Sequence, residues 1–157
     1  NSPFNFSKEH VEGKDIVYST TNGTRTIHKA SCCHEVIIGS FLNVSAIAQY
    51  LKNEKRDVVL LCAGWKNKYN IEDTVFAGNI AQMLIQSADF TTKCDATTTA
   101  IDMWQRWQHD IRGLIEKTAQ RWRLHDKGLD DCIDFCLTTD ITTIVPVFKT
   151  DKIIAIR

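Results

Sequence analysis

One polar turn decides how the fold is interpreted: Ser19-Thr20-Thr21-Asn22-Gly23-Thr24-Arg25. It follows the apolar run Ile16-Val17-Tyr18, which is typical of a strand, and it leads into Ile27-His28-Lys29-Ala30, where a helix is expected. Backbone amides and the positive end of a helix converge at such a turn and favour a bound anion. We therefore predict a phosphate-binding turn formed by Thr21, Asn22, Gly23, Thr24 and Arg25.

An ordinary capped helix start is the alternative for the same residues. Asn22 or Thr24 has the side chain of a helix N-cap, and Asn-Gly is a common turn dipeptide. Arg25 favours the anion site because its guanidinium is a permanently charged, planar fork of donors.

The strand-then-helix pattern repeats twice downstream. Residues 35–43 and 57–64 are predominantly apolar runs that contain or end in glycine, and each precedes an amphipathic segment; the second helix is expected over about residues 74–86. Continuous apolar strands alternating with helices predict a three-layer α/β/α fold with a largely parallel or mixed sheet. Ligands bind beyond the carboxyl ends of such strands, which singles out Ser40, Asn43, Gly64, Glu72 and Asp73.

The two ends of the remaining sequence are also interpretable. Residues 88–126 are helical and aromatic, and Trp104, Trp107, Ile111 and Leu114 form an apolar face that packs on the sheet or on a partner, as in a homodimer. Residues 143–148 and 152–156 predict a terminal β-hairpin, and Pro146 predicts an edge strand.

Composition excludes several classes of protein. The 157 residues contain 19 Lys and Arg against 19 Asp and Glu, so no net charge favours nucleic acid or an anionic membrane. The apolar runs are too short to span a membrane and no signal peptide is visible, which indicates a cytoplasmic protein. The six cysteines are expected to be reduced and mostly buried, with Cys62 either a core residue or a thiolate nucleophile.

Several segments together resemble the family of 2-phosphosulfolactate phosphatases. The matching segments occur in the family's order and are Asn1-Ser2-Pro3, residues 19–25, residues 39–43, residues 62–64, Glu72-Asp73, Ala77-Gly78 and residues 128–147. The resemblance implies a magnesium-dependent enzyme that releases 3-sulfolactate and inorganic phosphate and is associated with coenzyme M biosynthesis.

The resemblance also implies roles for residues. Glu72 and Asp73 are expected to hold Mg²⁺, with Glu72 and Arg25 catalytic, because Mg²⁺ prefers carboxylates, water and phosphate oxygens. Thr21 to Arg25 would hold the phosphate or sulfonate, and Ser40 and Asn43 would donate neutral hydrogen bonds to a small phosphorylated sulfonate.

We expect these residues to form one domain, the carboxyl-terminal two-thirds of a longer chain. Asn1-Ser2-Pro3 resembles an internal point of the family, and the family's early acidic residue and Arg-Ala-Thr type motif have no match here. Two other functions stay open. The first is that of a noncatalytic anion-binding member of the family, and the second is that of a phosphatase of another small phosphorylated acid.

Overall fold

The computed structural model describes residues 2–156, which form eight α-helices and three β-strands together with two short 3-10 helices at Pro3–Asn5 and Phe41–Asn43. The α-helices are α1 Lys8–Val11, α2 Gly23–Ala30, α3 Val44–Glu54, α4 Ile71–Ile85, α5 Asp95–Trp107, α6 Ile111–Ile115, α7 Ala119–His125 and α8 Cys132–Leu137. The strands are β1 Val36–Ile37, β2 Val145–Lys149 and β3 Lys152–Ile156.

The described sheet is antiparallel, with strand order β1-β2-β3. β2 and β3 form the predicted terminal hairpin, in which Val147 is opposite Ile154. The prediction that Pro146 marks an edge strand is wrong, because β2 lies between the other two strands. Proline is tolerated there because β1 ends at Ile37, so the ladder needs no N–H from Pro146, whose carbonyl accepts from the Ile38 N–H at 2.9 Å.

The helix and strand content fits an α/β protein, but the largely parallel or mixed sheet and the three-layer arrangement are not confirmed. Residues 16–18 and 57–64 were predicted as strands, and neither segment has a ladder partner within residues 2–156. Several of their apolar side chains are exposed, with Val17 at 99% and Val59 at 80%, whereas Val58 and Leu60 pack against the core. Apolar runs predict strands only where a neighbouring strand pairs with them.

Helix α4 lies between two apolar clusters that together form the core. One cluster joins α3 and α4 to β2 through Ile47, Ile80 and Val147. The other contains Phe41, Val75 and Leu114, with Trp104 and Trp107 packed against it. The predicted apolar face of residues 104–114 is thus confirmed as a core face, although it packs on α4 and Phe41 instead of on the sheet.

Gly78 allows α4 and α5 to approach closely. A Cβ at this position would overlap the backbone carbonyl of Ala100, which is buried on α5. The contact fixes the position of α4 and therefore of its first turn, which carries Glu72 and Asp73. The predicted helix head is confirmed, since α4 begins at Ile71.

The cysteines are free, as expected, but they are not mostly buried. Cys132 is buried, whereas Cys32, Cys33, Cys62, Cys94 and Cys136 are exposed. No helix within residues 2–156 is both long and apolar enough to cross a membrane.

Candidate functional site

The predicted anion turn forms the start of α2. Thr20 and Thr24 cap the helix reciprocally: the Thr20 N–H donates to Thr24 Oγ1 at 3.0 Å and the Thr24 N–H donates to Thr20 Oγ1 at 3.2 Å. Within the described residues, the Gly23 and Arg25 N–H groups have no acceptor at this helix start. A hydroxyl thus caps the helix, as the alternative interpretation expected, and two amides remain without an acceptor, so the anion site stays a prediction.

A tight turn follows the irregular segment 57–63 and carries an exposed cation. Trp65 and Lys68 are paired by two backbone hydrogen bonds of 2.9 and 3.1 Å, with Lys66 and Asn67 between them at φ values of 50° and 60°. Positive φ at both central residues is the geometry of a type I′ hairpin turn. Gly64 is required just before it, because its φ is +66° and a Cβ would lie 2.5 Å from the Lys68 carbonyl oxygen.

Two side chains attach this turn to the predicted site. The Gly64 N–H donates to Asp73 Oδ2 at 2.6 Å, and the Lys66 N–H donates to Asn22 Oδ1 at 3.1 Å. Three segments far apart in the sequence are thereby brought together: the α2 turn, the Trp65 turn and the first turn of α4. Asn22 and Asp73 thus hold the backbone in addition to any contact with a ligand.

Glu72 is the residue of the site with an unsatisfied buried atom. Its Oε2 is buried and makes no hydrogen bond within the described part of the chain. Burial raises the pKa of the Glu72 carboxyl, while hydrogen bonds from its own backbone N–H and Asn70, and the positive charge of Arg123, act against that shift. A buried carboxylate oxygen without a donor is costly unless a cation or proton partners it.

The carboxylates Glu72 and Asp73 fit a magnesium ion to a limited extent. Residues 2–156 contain no group of three or more His, Cys, Asp or Glu side chains that could hold a metal. Mg²⁺, however, is commonly held by one or two carboxylates, and water and substrate phosphate complete its shell. The unpartnered Oε2 of Glu72 supplies the free ligand that this arrangement needs, and Asp73 keeps one oxygen that is not bonded to Gly64.

An open cleft of about 1580 Å³ borders the site. Its walls include Asn22 and Arg25 from the α2 turn, Cys62 and Gly64 from the segment before the Trp65 turn, and Thr74 from α4. Lys29, Lys55, Arg56 and Lys68 also line the cleft, against Asp57 and Asp89. The cationic excess raises the local concentration of anionic ligands.

Ser40 and Asn43 do not line this cleft. The Asn43 side chain is buried and accepts from the Ser40 N–H at 2.9 Å, while its amide donates to the Ile144 carbonyl at 3.0 Å. These contacts form a capping box that anchors the 3-10 helix at Phe41–Asn43 to the segment before β2. The amide of Asn43 is thus already committed to the fold, and its role in substrate binding stays a prediction.

Cys62 lies beside the site without the properties of an activated thiol. Desolvation by the surrounding atoms raises the pKa of its thiol, and the Asp73 carboxylate raises it further, while a hydrogen bond with Thr74 lowers it. Reactive cysteines instead have a lowered pKa and cationic neighbours. Cys62 is exposed, so the prediction of a core residue is wrong, and its environment does not favour the thiolate form.

Sequence reasoning missed Trp65, Lys66 and Arg123. The Arg123 guanidinium lies 4.5 Å from the Trp65 ring centroid, and the Lys66 ammonium lies 4.6 Å from it. Arg123 comes from α7, a helix to which the sequence assigned no part of the site. The Gly64-Trp65 pair beyond an apolar run was the available signal for the turn, but nothing in the sequence places α7 beside it.

The chain is similar to one known family along nearly its whole length. Residues 1–151 match the family described as 2-phosphosulpholactate phosphatase. A protein of Caldanaerobacter subterraneus subsp. tengcongensis named "Probable 2-phosphosulfolactate phosphatase" is 36% identical over 149 residues, covering 95% of this chain and 61% of that protein. Proteins with the same name from Thermotoga maritima and Symbiobacterium thermophilum are 36% and 30% identical over 146 and 157 residues, covering 93% and 100% of this chain and 62% and 67% of those proteins. The chain thus spans about three fifths of the length of the first two.

Proposed function

Since the chain belongs to the 2-phosphosulpholactate phosphatase family, we propose that it hydrolyses 2-phosphosulfolactate to 3-sulfolactate and phosphate in a magnesium-dependent reaction. The observation that carries the proposal is the convergence of the α2 turn, the Trp65 turn and the head of α4 through Asn22 and Asp73. It joins the helix start that we assign to anion binding to a carboxylate of which one buried oxygen, Glu72 Oε2, lacks a hydrogen-bond donor.

Hydrolysis of a phosphate monoester needs charge neutralisation and alignment more than covalent chemistry from the protein. Arg25 lines the cleft, and we assign its guanidinium and the free amides of Gly23 and Arg25 as donors to the phosphate oxygens. Thr21 and Thr24 flank these donors. We assign phosphate orientation to this turn and charge stabilisation to Arg25.

Glu72 and Asp73 would hold the magnesium ion. When bound, Mg²⁺ neutralises negative charge on phosphoryl oxygens and orders water. Glu72 contributes its unpartnered Oε2, while Asp73 keeps the Gly64 backbone, and with it the Trp65 turn, in place. Loss of the Glu72 charge therefore affects catalysis directly, and loss of the Asp73 carboxylate also loosens the turn.

The test is phosphate release from 2-phosphosulfolactate, measured with Mg²⁺ and with excess EDTA. Glu72→Gln and Arg25→Gln are each expected to lower kcat/KM by roughly 100-fold, the usual loss when one preorganised charge is removed. Asp102→Asn is the matched control, because Asp102 is exposed on α5.

Release that persists in EDTA would contradict the magnesium role. Absence of release, with retained binding of 3-sulfolactate, would favour a noncatalytic anion-binding member of the family. Faster release from another small phosphorylated acid would change the substrate and keep the reaction.

A further inference from the structure

Arg123 has a fixed orientation and makes no salt bridge within the described residues, although its charge acts on the nearby Glu72 carboxyl. Its Nε and Nη2 donate to Gln120 Oε1 at 2.9 and 2.7 Å, which holds the guanidinium over the Trp65 ring, 4.5 Å from the ring centroid. No carboxylate within residues 2–156 lies at ion-pair distance from it. Arg112 and Arg121 are different, since both are paired with Glu116 and with a second acid.

The ring that carries Arg123 belongs to a strained turn. Lys66 and Asn67 occupy the left-handed region, which non-glycine residues rarely adopt. The Asn22 side chain holds the Lys66 backbone from the α2 turn, and the Asp73 side chain holds Gly64 from α4. Strain maintained by surrounding contacts is frequent where a side chain is positioned for a ligand.

Two cations share one aromatic ring. Arg123 and Lys66 each lie within 5 Å of the Trp65 ring centroid. Neither forms a salt bridge within the described residues, although the charge of Arg123 acts on the Glu72 carboxyl. A guanidinium is weakly hydrated and matches oxyanions in a planar, bidentate geometry. The two cations are separate from the α2 turn, which supplies its own amides and Arg25.

We propose that Arg123, held on Trp65 beside Lys66, binds a second acidic group of the substrate and so selects phosphate monoesters that carry a sulfonate or carboxylate. The inference deepens the proposed function and rests on it for the identity of the reaction. Arg123 is a specificity-determining residue, whereas Gln120 and Asn22 are positioning residues for the guanidinium and the turn.

The test compares kcat/KM for two secondary phosphate esters. 2-Phosphosulfolactate carries two additional acidic groups and isopropyl phosphate carries none. We expect Arg123→Gln to lower kcat/KM for 2-phosphosulfolactate by roughly 10- to 100-fold, the loss of one charge-assisted hydrogen-bonded contact. Isopropyl phosphate should change by less than about twofold, since the deleted contact is one it never makes.

Two further substrates identify which acid is bound. 2-Phospholactate lacks the sulfonate, and the phosphate ester of 2-hydroxyethanesulfonate lacks the carboxylate. The substrate whose kcat/KM falls most in Arg123→Gln carries the recognised group. Arg123→Lys should recover part of the loss, because charge returns without the planar fork.

Arg106→Gln is the matched control. Arg106 also lies over a tryptophan, Trp107, at 5.9 Å from its ring centroid. Arg106→Gln should leave kcat/KM unchanged for all four substrates. Equal losses of kcat/KM for 2-phosphosulfolactate and isopropyl phosphate in Arg123→Gln would overturn the inference, because a structural defect affects both.

A binding measurement separates this inference from the proposed function. Calorimetry with 3-sulfolactate and with isopropanol needs no turnover. Arg123-dependent binding of 3-sulfolactate without any phosphate release would refute the phosphatase and keep the anion site. If Arg123→Gln hydrolyses 2-phosphosulfolactate and keeps the wild-type preference for it over isopropyl phosphate, the phosphatase stands and the role of Arg123 is refuted. Wild-type protein that neither binds nor hydrolyses these compounds would overturn both.

Discussion

Two tryptophans of this chain each have one lysine and one arginine over the ring, but the rest of their surroundings differ. Lys66 and Arg123 both lie over the Trp65 ring, and Lys117 and Arg106 both lie over the Trp107 ring. Trp107 packs on the apolar cluster of Phe41, Val75 and Leu114, whereas Trp65 belongs to neither buried cluster. A cation–π pair alone therefore does not identify a ligand site. What distinguishes Trp65 is that the residues on either side of it are bonded to Asn22 and Asp73, and that the charge of Arg123 on its ring acts on the Glu72 carboxyl.

The largest expected effect is a loss of stability that affects the surroundings of both tryptophans, because α4 supports both. Gly78→Ala would force a Cβ into the Ala100 carbonyl and separate α4 from α5. We expect the free energy of unfolding to fall by about 3 kcal/mol or more, at the upper end for overpacking against rigid backbone. Urea denaturation measures it. Ala77→Gly, one residue earlier on α4, should cost about 1 kcal/mol from helix propensity, and a similar loss in both variants would contradict the close contact.

Replacing each tryptophan sharpens the comparison. Trp107→Ala should lower the free energy of unfolding by about 3 kcal/mol, since it removes packing from the core cluster. Trp65→Ala should lower it by about 1 kcal/mol, and should reduce kcat/KM for 2-phosphosulfolactate roughly tenfold because Arg123 loses its platform. Denaturation and phosphate release are measured on the same samples. A catalytic loss in Trp107→Ala that exceeds its loss of folded fraction would contradict the division.

Of the two tryptophan environments, only that of Trp107 could be predicted from the sequence. The spacing of Trp104, Trp107, Ile111 and Leu114 has helical period, and local periodicity predicts a buried face well. Trp65 lies in a turn, and Arg123, which lies over its ring, comes 58 residues later in the sequence. Such long-range contacts leave no periodic signal.

The sheet was predicted poorly for a related reason. Residues 57–63 are as apolar as a buried strand, but a strand is defined by its neighbour, and none pairs with this segment among residues 2–156. The head of α4 was predicted well because Glu72 and Asp73 in a first turn satisfy local rules of capping and helix dipole. The candidate site was thus predictable at its helix ends and not at the turn between them.

Two glutamates, Glu72 and Glu116, should change the stability in opposite directions when their charge is removed. Burial raises the pKa of Glu72 in the folded protein, so stability is lost as the pH rises from the unfolded pKa, about 4.3, through the folded pKa. Glu72→Gln should therefore be more stable than the wild type at pH 7 and equal to it at pH 3. Glu116→Gln should be less stable at pH 7 by about 0.2 to 1 kcal/mol, because Glu116 bonds Arg112 and Arg121 at 2.8 Å.

Thermal denaturation from pH 3 to pH 8 follows both variants. A destabilised Glu72→Gln at pH 7, without added metal, would show that its carboxylate has a partner in the folded protein. With excess Mg²⁺ in the same experiment, the wild type should become more stable than Glu72→Gln at pH 7, because a ligand that binds only the native state stabilises it. The difference between the wild type and Glu116→Gln should not change.

The smallest expected effect comes from the lysines on the two rings. Lys117→Gln and Lys66→Gln each remove an exposed cation–π contact, at 4.3 and 4.6 Å from the ring centroids, and each should cost about 0.5 kcal/mol in the free energy of unfolding. Stability therefore does not separate them, but salt dependence should. If Lys66 attracts an anionic substrate, Lys66→Gln weakens the dependence of KM on ionic strength, since long-range attraction between exposed charges is screened by salt. Lys117→Gln should keep the wild-type dependence, because its ring packs on the core cluster instead of at the site. Equal salt slopes in the two variants would mean that the cations on Trp65 and Trp107 act alike, and that only the Arg123 contact distinguishes the two regions.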